Sequence, residues 1–401
     1  MSQQRIHFAF LNIGHFLDHF FMLVFATVAA LTLTREWGLS YAQLIPYATP
    51  AFVAFGVGAI PAGWLADKWS RRGMMAVFFI GIGVCSILTA LAETPMQIGL
   101  ALFAMGIFGA IYHPVGIPLV IEGRDKTGLP IAINGVYGNL GVASAALITG
   151  FMIDYAGWRS AFVWPGVISI LLGIAYIWLI GIAPERSQTA AGKKKSGGTT
   201  RNYHGASLIR IFSIIIFTTA LGGMIFQSTT FALPKVFDES LDGLALSATV
   251  VGWYAFLVFS LAALAQLVVG YLLDRQSARA VFIGVAAMQA AFFAVMPGLH
   301  DWAALLVSVA FMLAVFGQIP INDVLIGRLA ASEWRSRVFA FRYIVTFSVS
   351  SASIPMIAWI HANWGFDRLF MLLAAVALFI LLAVLLLPRA IPARTQAAAA
   401  E

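Results

Sequence analysis

The sequence predicts an all-α membrane protein: twelve transmembrane helices in two pseudo-symmetric six-helix bundles. Three observations predict it. Of the 401 residues, 61% are hydrophobic and 10% are charged, against about 25% charged in soluble domains. With a mean hydropathy of +0.91, such a chain has the bilayer as its natural solvent. The apolar residues fall into twelve stretches, each near the ~20 residues that cross a hydrocarbon core. Finally, loop patterns from the first half recur in the second at an almost constant offset.

The stretches run roughly over 7–34, 43–66, 74–93, 97–121, 130–153, 160–182, 208–233, 247–272, 280–298, 302–327, 338–361 and 367–387. The first is too long and too polar for a signal peptide, since it holds His15, Asp18 and His19 and no small-residue cleavage site closes it. Residues 1–183 therefore form an N-terminal six-helix bundle and 207–388 a C-terminal one. Between them, 184–206 is a polar linker with Lys193, Lys194, Lys195 and Arg201, and 389–401 is a tail. With the N-terminus inside, 19 of the 24 Lys and Arg fall in inner segments and four in outer ones, Arg342 lying within a helix. That asymmetry places both termini in the cytoplasm of an inner-membrane protein.

The basic balance, +7 at neutral pH, is thus a topology signal, and no nucleic-acid partner is expected. The single cysteine, Cys85, sits in an apolar run and excludes an intramolecular disulfide. A nucleophile motif, a phosphate-binding glycine loop, a cofactor fingerprint and the H-E-x-x-H metalloprotease pattern are all missing. An enzyme is not expected, nor a cofactor or resident metal.

The loop after the second stretch reads Gly63-Trp-Leu-Ala-Asp67-Lys-Trp-Ser-Arg71-Arg72, and the loop after the eighth reads Gly270-Tyr-Leu-Leu-Asp274-Arg275-Gln-Ser-Ala-Arg279, 207 residues later. Gly157-Trp-Arg-Ser-Ala-Phe162 is matched by Gly365-Phe-Asp-Arg-Leu-Phe370, 208 residues later. A duplicated six-helix unit explains both. In the motif, glycine permits close helix approach, and the aspartate can accept hydrogen bonds from a helix N-terminus or an arginine. Such a cluster would gate the cytoplasmic side; the plainer alternative is a set of topogenic charges. The duplicated loop, the twelve spans and the basic linker resemble the major facilitator superfamily. The resemblance implies a major facilitator fold of two bundles around a central cavity, worked by alternating access.

Ionisable groups inside a membrane span are costly and mark candidate sites. The first stretch holds Asn12, His15, Asp18 and His19, and helical spacing puts His15 beside both Asp18 and His19. An Asp–His set can trade a proton near neutral pH; the alternatives are hydrogen-bonded packing, or metal binding by His15 and His19. The fourth stretch carries Tyr112-His113-Pro114, with proline bending a helix toward a cavity. The fifth carries Tyr137 and Asn139 among glycines. In the second half, Gln227, Gln318, Asn322 and Arg342 are candidate cavity residues, though Gln227, like Gln266 and Gln289, also reads as packing. Asp323 and Arg342 lie about five residues from the cytoplasmic ends of their spans, where an ion pair could gate, or Arg342 could meet an anion.

Gly14-His15-Phe16-Leu17-Asp18, Tyr112-His113-Pro114 and Gly138-Asn139-Leu140-Gly141 resemble the fosmidomycin-resistance branch of the superfamily. This implies proton-driven export of small, often anionic drugs. Val115 and His19 stand where that branch carries acidic residues. The expectation is therefore a proton-coupled secondary transporter, an exporter of a small organic compound, working as a monomer. The alternatives are a metabolite importer or a divalent-metal exporter. Asp18, His15 and His19 are expected at the proton site; Asn12, Tyr112, His113, Tyr137, Asn139, Gln227, Gln318, Asn322 and Arg342 at the cavity; and the two loop motifs with Asp323 at the gates.

Overall fold

The computed structural model describes residues 2–124, 127–182, 205–329 and 335–388. The basic linker up to 204, Lys126 and the tail from 389 lie outside the described residues. The described chain is helical throughout. Helix α1 runs Gln3–Glu36, α2 Tyr41–Lys68, α3 Arg71–Ala90, α4 Pro95–Ile121, α5 Gly128–Ala156 and α6 Ser160–Ile180. In the second half α7 is Gly205–Ser240, α8 Ala248–Arg275, α9 Ala278–Val295 and α10 Asp301–Leu329. A last run, Arg335–Leu385, is turned at Gly365 (φ 73°, ψ −174°) into α11 before it and α12 after it. Eleven described helices are long and apolar enough to span a membrane, and the last, Ile344–Leu385, is double length. Divided at Gly365, it completes twelve crossings. The loop expected between the last two stretches is only this turn, which glycine makes at no steric cost.

Local chemistry sets the helix ends. Ser40 with Gln43 and Thr94 with Gln97 form capping boxes at α2 and α4, satisfying backbone N–H groups the first turn leaves open. Ser70, Ser247 and Ser277 cap α3, α8 and α9. Gly157 and Gly181 end α5 and α6 with positive φ. Helix α4 breaks between Gly109 and Tyr112, because Pro114 has no N–H for the Ala110 carbonyl. That break sets the direction of Tyr112 and His113. The first helix also carries a π-helical turn, Ala29–Leu33.

Small residues draw the helices together, as expected where no hydrophobic force separates helix from lipid. Gly141 of α5 lies against the Phe16 carbonyl of α1, and Gly83 of α3 against Gly166 of α6. The bundles meet along α5 and α8, where Gly150 faces the Ala248 carbonyl and Gly252 the Ala146 carbonyl. They meet again at α2 and α11, where a Cβ on Gly56 would lie 2.8 Å from that of Phe347. On the face away from the basic loops, Thr249 donates its backbone N–H (2.7 Å) and its hydroxyl (2.5 Å) to Asp154. There His361 of α11 also stands 5.3 Å edge-on to Tyr41 and bonds Glu239 of α7 at 3.0 Å.

Candidate functional site

The first helix presents one polar face to α4 and α5. Asp18 is fully buried, with 0% exposure, and its Oδ2 lies 3.4 Å from His113 Nε2. The break in α4 is what swings His113 to this position. The Asp18 carboxyl otherwise lies against Gly109 and near Phe55, Gly109 leaving room for Oδ1. Phe55 stands edge-on to His113 at 5.9 Å and to Phe347 of the other bundle at 5.2 Å. An ionised carboxylate without full pairing is costly in such a place. Among the described residues, His113 is the one ionisable side chain that reaches the carboxyl there. His113 remains 22% exposed, so the pair has one partly accessible member.

His15 does not pair with Asp18, as the local spacing suggested. Its Nδ1 donates to the Asn134 carbonyl of α5 at 2.7 Å, which leaves Nε2 as the acceptor for His19 Nε2 at 3.2 Å. Tyr112 stacks on the His15 ring, centroids 4.8 Å apart. Gly138 makes the room: a Cβ there would sit 2.7 Å from the imidazole. The three rings of His15, His19 and His113 bring one nitrogen each within 4.8 Å of one another, the only such group of three His, Cys, Asp or Glu side chains among the described residues. Within the set, the His15 and His19 Nε2 atoms meet each other and His113 Nε2 faces Asp18, while His113 Nδ1 is buried without a hydrogen-bond partner.

Asn134, which sequence reasoning passed over, is the hub of this network. Its amide donates to the Tyr112 hydroxyl (2.8 Å) and to Asn12 Oδ1 (3.0 Å), while the Tyr112 hydroxyl donates to the Leu11 carbonyl (2.7 Å). Asn12 and Tyr112, expected at the cavity, are instead buried in the packing of α1, α4 and α5. The Asn12–His15 spacing on α1 was the one available signal for a polar partner on another helix.

The second bundle is arranged differently. Gln318 accepts from Gln289 (2.8 Å) and donates to the Thr218 carbonyl (3.3 Å). Asn322 accepts from the Thr218 hydroxyl at 3.4 Å. Gln318 and Asn322 therefore join α7, α9 and α10 as packing groups. Gln227 is buried, with its amide nitrogen lacking a partner. Asn139 accepts from Gln266 at 3.4 Å across the bundle boundary, and Tyr137 is exposed. Arg342 pairs with Asp323; the arginine is 11% exposed and the aspartate 44%, so the expected ion pair is present.

The loop motifs differ from each other. Asp67 pairs with Arg71 at 2.9 Å, and Gly63 faces Pro114 of α4 at 3.4 Å. In the second copy Arg275 lies over the Tyr271 ring at 4.1 Å, and Arg279 donates to the Leu385 carbonyl at 2.8 Å. Asp274 lies in the last turn of α8, and Arg72 follows Arg71 in the first turn of α3. Gly270 has nothing within 4 Å of a Cβ position. Close helix approach is therefore not its role here, because α8 leans on α5 and α10 elsewhere.

Two six-helix bundles with ionisable groups inside the spans define the class of polytopic membrane carriers. The Major Facilitator Superfamily model matches residues 11–244 and 215–401, and the chain belongs to that superfamily. The curated relatives it matches are transporters. The chain is 25% identical over 294 residues to a gallate transporter of Pseudomonas putida, covering 65% of this chain and 63% of that one. It is 29% identical over 150 residues to the 4-hydroxybenzoate transporter PcaK of the same organism, covering 37% and 34%. The matched regions thus span from about a third to just under two thirds of these relatives. A bacterial homologue of the human lysosomal transporter Spinster, solved in an inward-facing and occupied conformation, superposes with a TM-score of 0.75 over 96% of both chains at 14% identity. A POT family transporter in complex with 5-aminolevulinic acid gives 0.74 over 95% of both chains, also at 14%.

Proposed function

We propose that this protein is a proton-coupled secondary transporter of a small organic anion, working by alternating access with both termini in the cytoplasm. The observation that carries the reading is the buried Asp18 carboxyl facing His113 inside the N-terminal bundle. A charge in that position is costly, so the pair gains or loses a proton as the bundle opens to one side or the other. His15 and His19 continue the polar line from that pair toward α5.

Arg342 is the proposed anion contact, a guanidinium being suited to a carboxylate. Asp323 holds it when no substrate is present, and release of that pair opens the cytoplasmic side. The two Pseudomonas putida relatives are named for gallate and 4-hydroxybenzoate, which favours a carboxylate over the fosmidomycin-like cargo of the narrower resemblance. Antiport with export remains part of the proposal, and uptake uses the same fold and site with the opposite coupling.

The test is counterflow in proteoliposomes. Vesicles loaded with unlabelled 4-hydroxybenzoate or gallate should accumulate labelled anion transiently, and Arg342→Ala should abolish this. Absence of counterflow for every carboxylate tried, with tight Zn²⁺ binding that His19→Ala removes, would instead support carriage of a divalent metal.

A further inference from the structure

We propose that the outer wall of the N-terminal bundle binds one anionic phospholipid, its acyl chain in a groove between α3, α4 and α6 and its phosphate at the basic turn joining α2 to α3. The groove has a volume of about 390 Å³ and is lined by Trp69, Val77, Ile80, Val84, Phe108 and Ile177, among other residues that are all apolar or glycine. That volume lies within the range of ligand pockets, ~300–1,000 Å³, but without the convergent polar groups that a soluble ligand needs.

Its dimensions match one leaflet. From Gly73 to Val84 the α3 wall rises about 16 Å at 1.5 Å per residue, half of a hydrocarbon core of about 30 Å. Two glycines carve the floor. A Cβ on Gly73 would stand 2.8 Å from the Trp69 ring, and one on Gly81 would overlap the Phe108 ring. These positions are eight residues apart and so share one helix face. No residue of the C-terminal bundle lines the groove, and Val84, Ile177 and Ile182 are exposed. In a chain whose solvent is lipid, that wall faces the bilayer.

The mouth supplies the choice of headgroup. The turn between Trp64 and Gly73 carries the exposed Lys68 beside the Asp67–Arg71 pair, whereas the Arg72 Nε is buried. The Asp67–Arg71 pair is itself open to solvent, 67% and 37% exposed. Trp64 and Trp69 are both exposed beside it, at the depth where indoles meet headgroups. A net positive turn at the rim of an acyl-sized groove selects an anionic phosphate over a zwitterionic one. The groove is separate from the Asp18 site, so the inference stands apart from the proposed function.

Titration of the purified full chain by native mass spectrometry tests it, using dimyristoyl phosphatidylglycerol and dimyristoyl phosphatidylcholine, which share their acyl chains. The glycerol lipid should bind at least about fivefold more tightly, as expected for one or two extra basic contacts. Lys68→Gln should lower that preference while leaving phosphatidylcholine binding unchanged. Ile80→Trp and Val77→Phe add apolar bulk to the half-buried groove wall, and both should weaken both lipids in a protein of unchanged helix content. Equal affinity for the two lipids in the wild type would overturn the proposal. So would undiminished phosphatidylglycerol binding in both folded groove-filling variants.

Discussion

Two neighbouring helices hold His15 through three residues. Asn134 of α5 accepts its Nδ1 proton, Tyr112 of α4 covers its face, and Gly138 of α5 leaves the volume it occupies. Asn134→Ala removes the amide that serves both Tyr112 and Asn12. Unsatisfied buried polar groups cost about 1–3 kcal/mol each, so thermal unfolding of the detergent-purified variant should begin at a clearly lower temperature. An unchanged melt would mean the network is not structural. Gly138→Ala should be as harmful, because its methyl group meets an imidazole fixed from three sides and overpacking costs about 1–3 kcal/mol.

The sequence showed the crowd of ionisable groups on α1 but not their pairing. Helical spacing placed His15 beside Asp18, whereas the tertiary partner of Asp18 is His113, 95 residues away. Asn134 was equally hard to see, since a lone asparagine in a glycine-rich helix looks like packing until its partners arrive from α1 and α4.

At the scale of elements, helix junctions and crossings carry the consequences. The turn between α2 and α3 holds Asp67 against Arg71 in solvent, and exposed pairs contribute about 0–1 kcal/mol. Asp67→Asn should therefore leave the melting temperature nearly unchanged yet slow substrate turnover. Normal turnover would reduce the motif to a topology signal. The crossing of α5 and α8 offers a second test. Asp154 and Thr249 bind across it, and Cys85, the only native cysteine, is buried. A paired Asp154→Cys and Thr249→Cys variant should cross-link on mild oxidation and stop transport, which a reductant then restores. Transport by the fully cross-linked protein would show that this crossing does not open. The spans were legible in sequence because their apolar runs are local. The open surroundings of Gly270 were not, since they depend on where α8 leans.

On the scale of the whole molecule, duplication gave two similar bundles with different interiors. The first holds Asp18, His113, His15 and His19; the second holds the Arg342–Asp323 pair and an amide network that ties α7, α9 and α10 together. On the proposed function, that division gives the proton to one half and the anion to the other, and the halves touch where Phe55 meets Phe347. The twelve spans, the two halves and their offset could be read from composition and repeats. The division of labour required the three-dimensional pairing.

The most direct test is anion transport in proteoliposomes driven by an imposed pH gradient alone, comparing the wild type with Asp18→Asn. The wild type should show gradient-driven transport. In the variant that transport should be lost, while counterflow exchange of the anion without a gradient persists. Full gradient-driven transport by Asp18→Asn would contradict a proton site at Asp18.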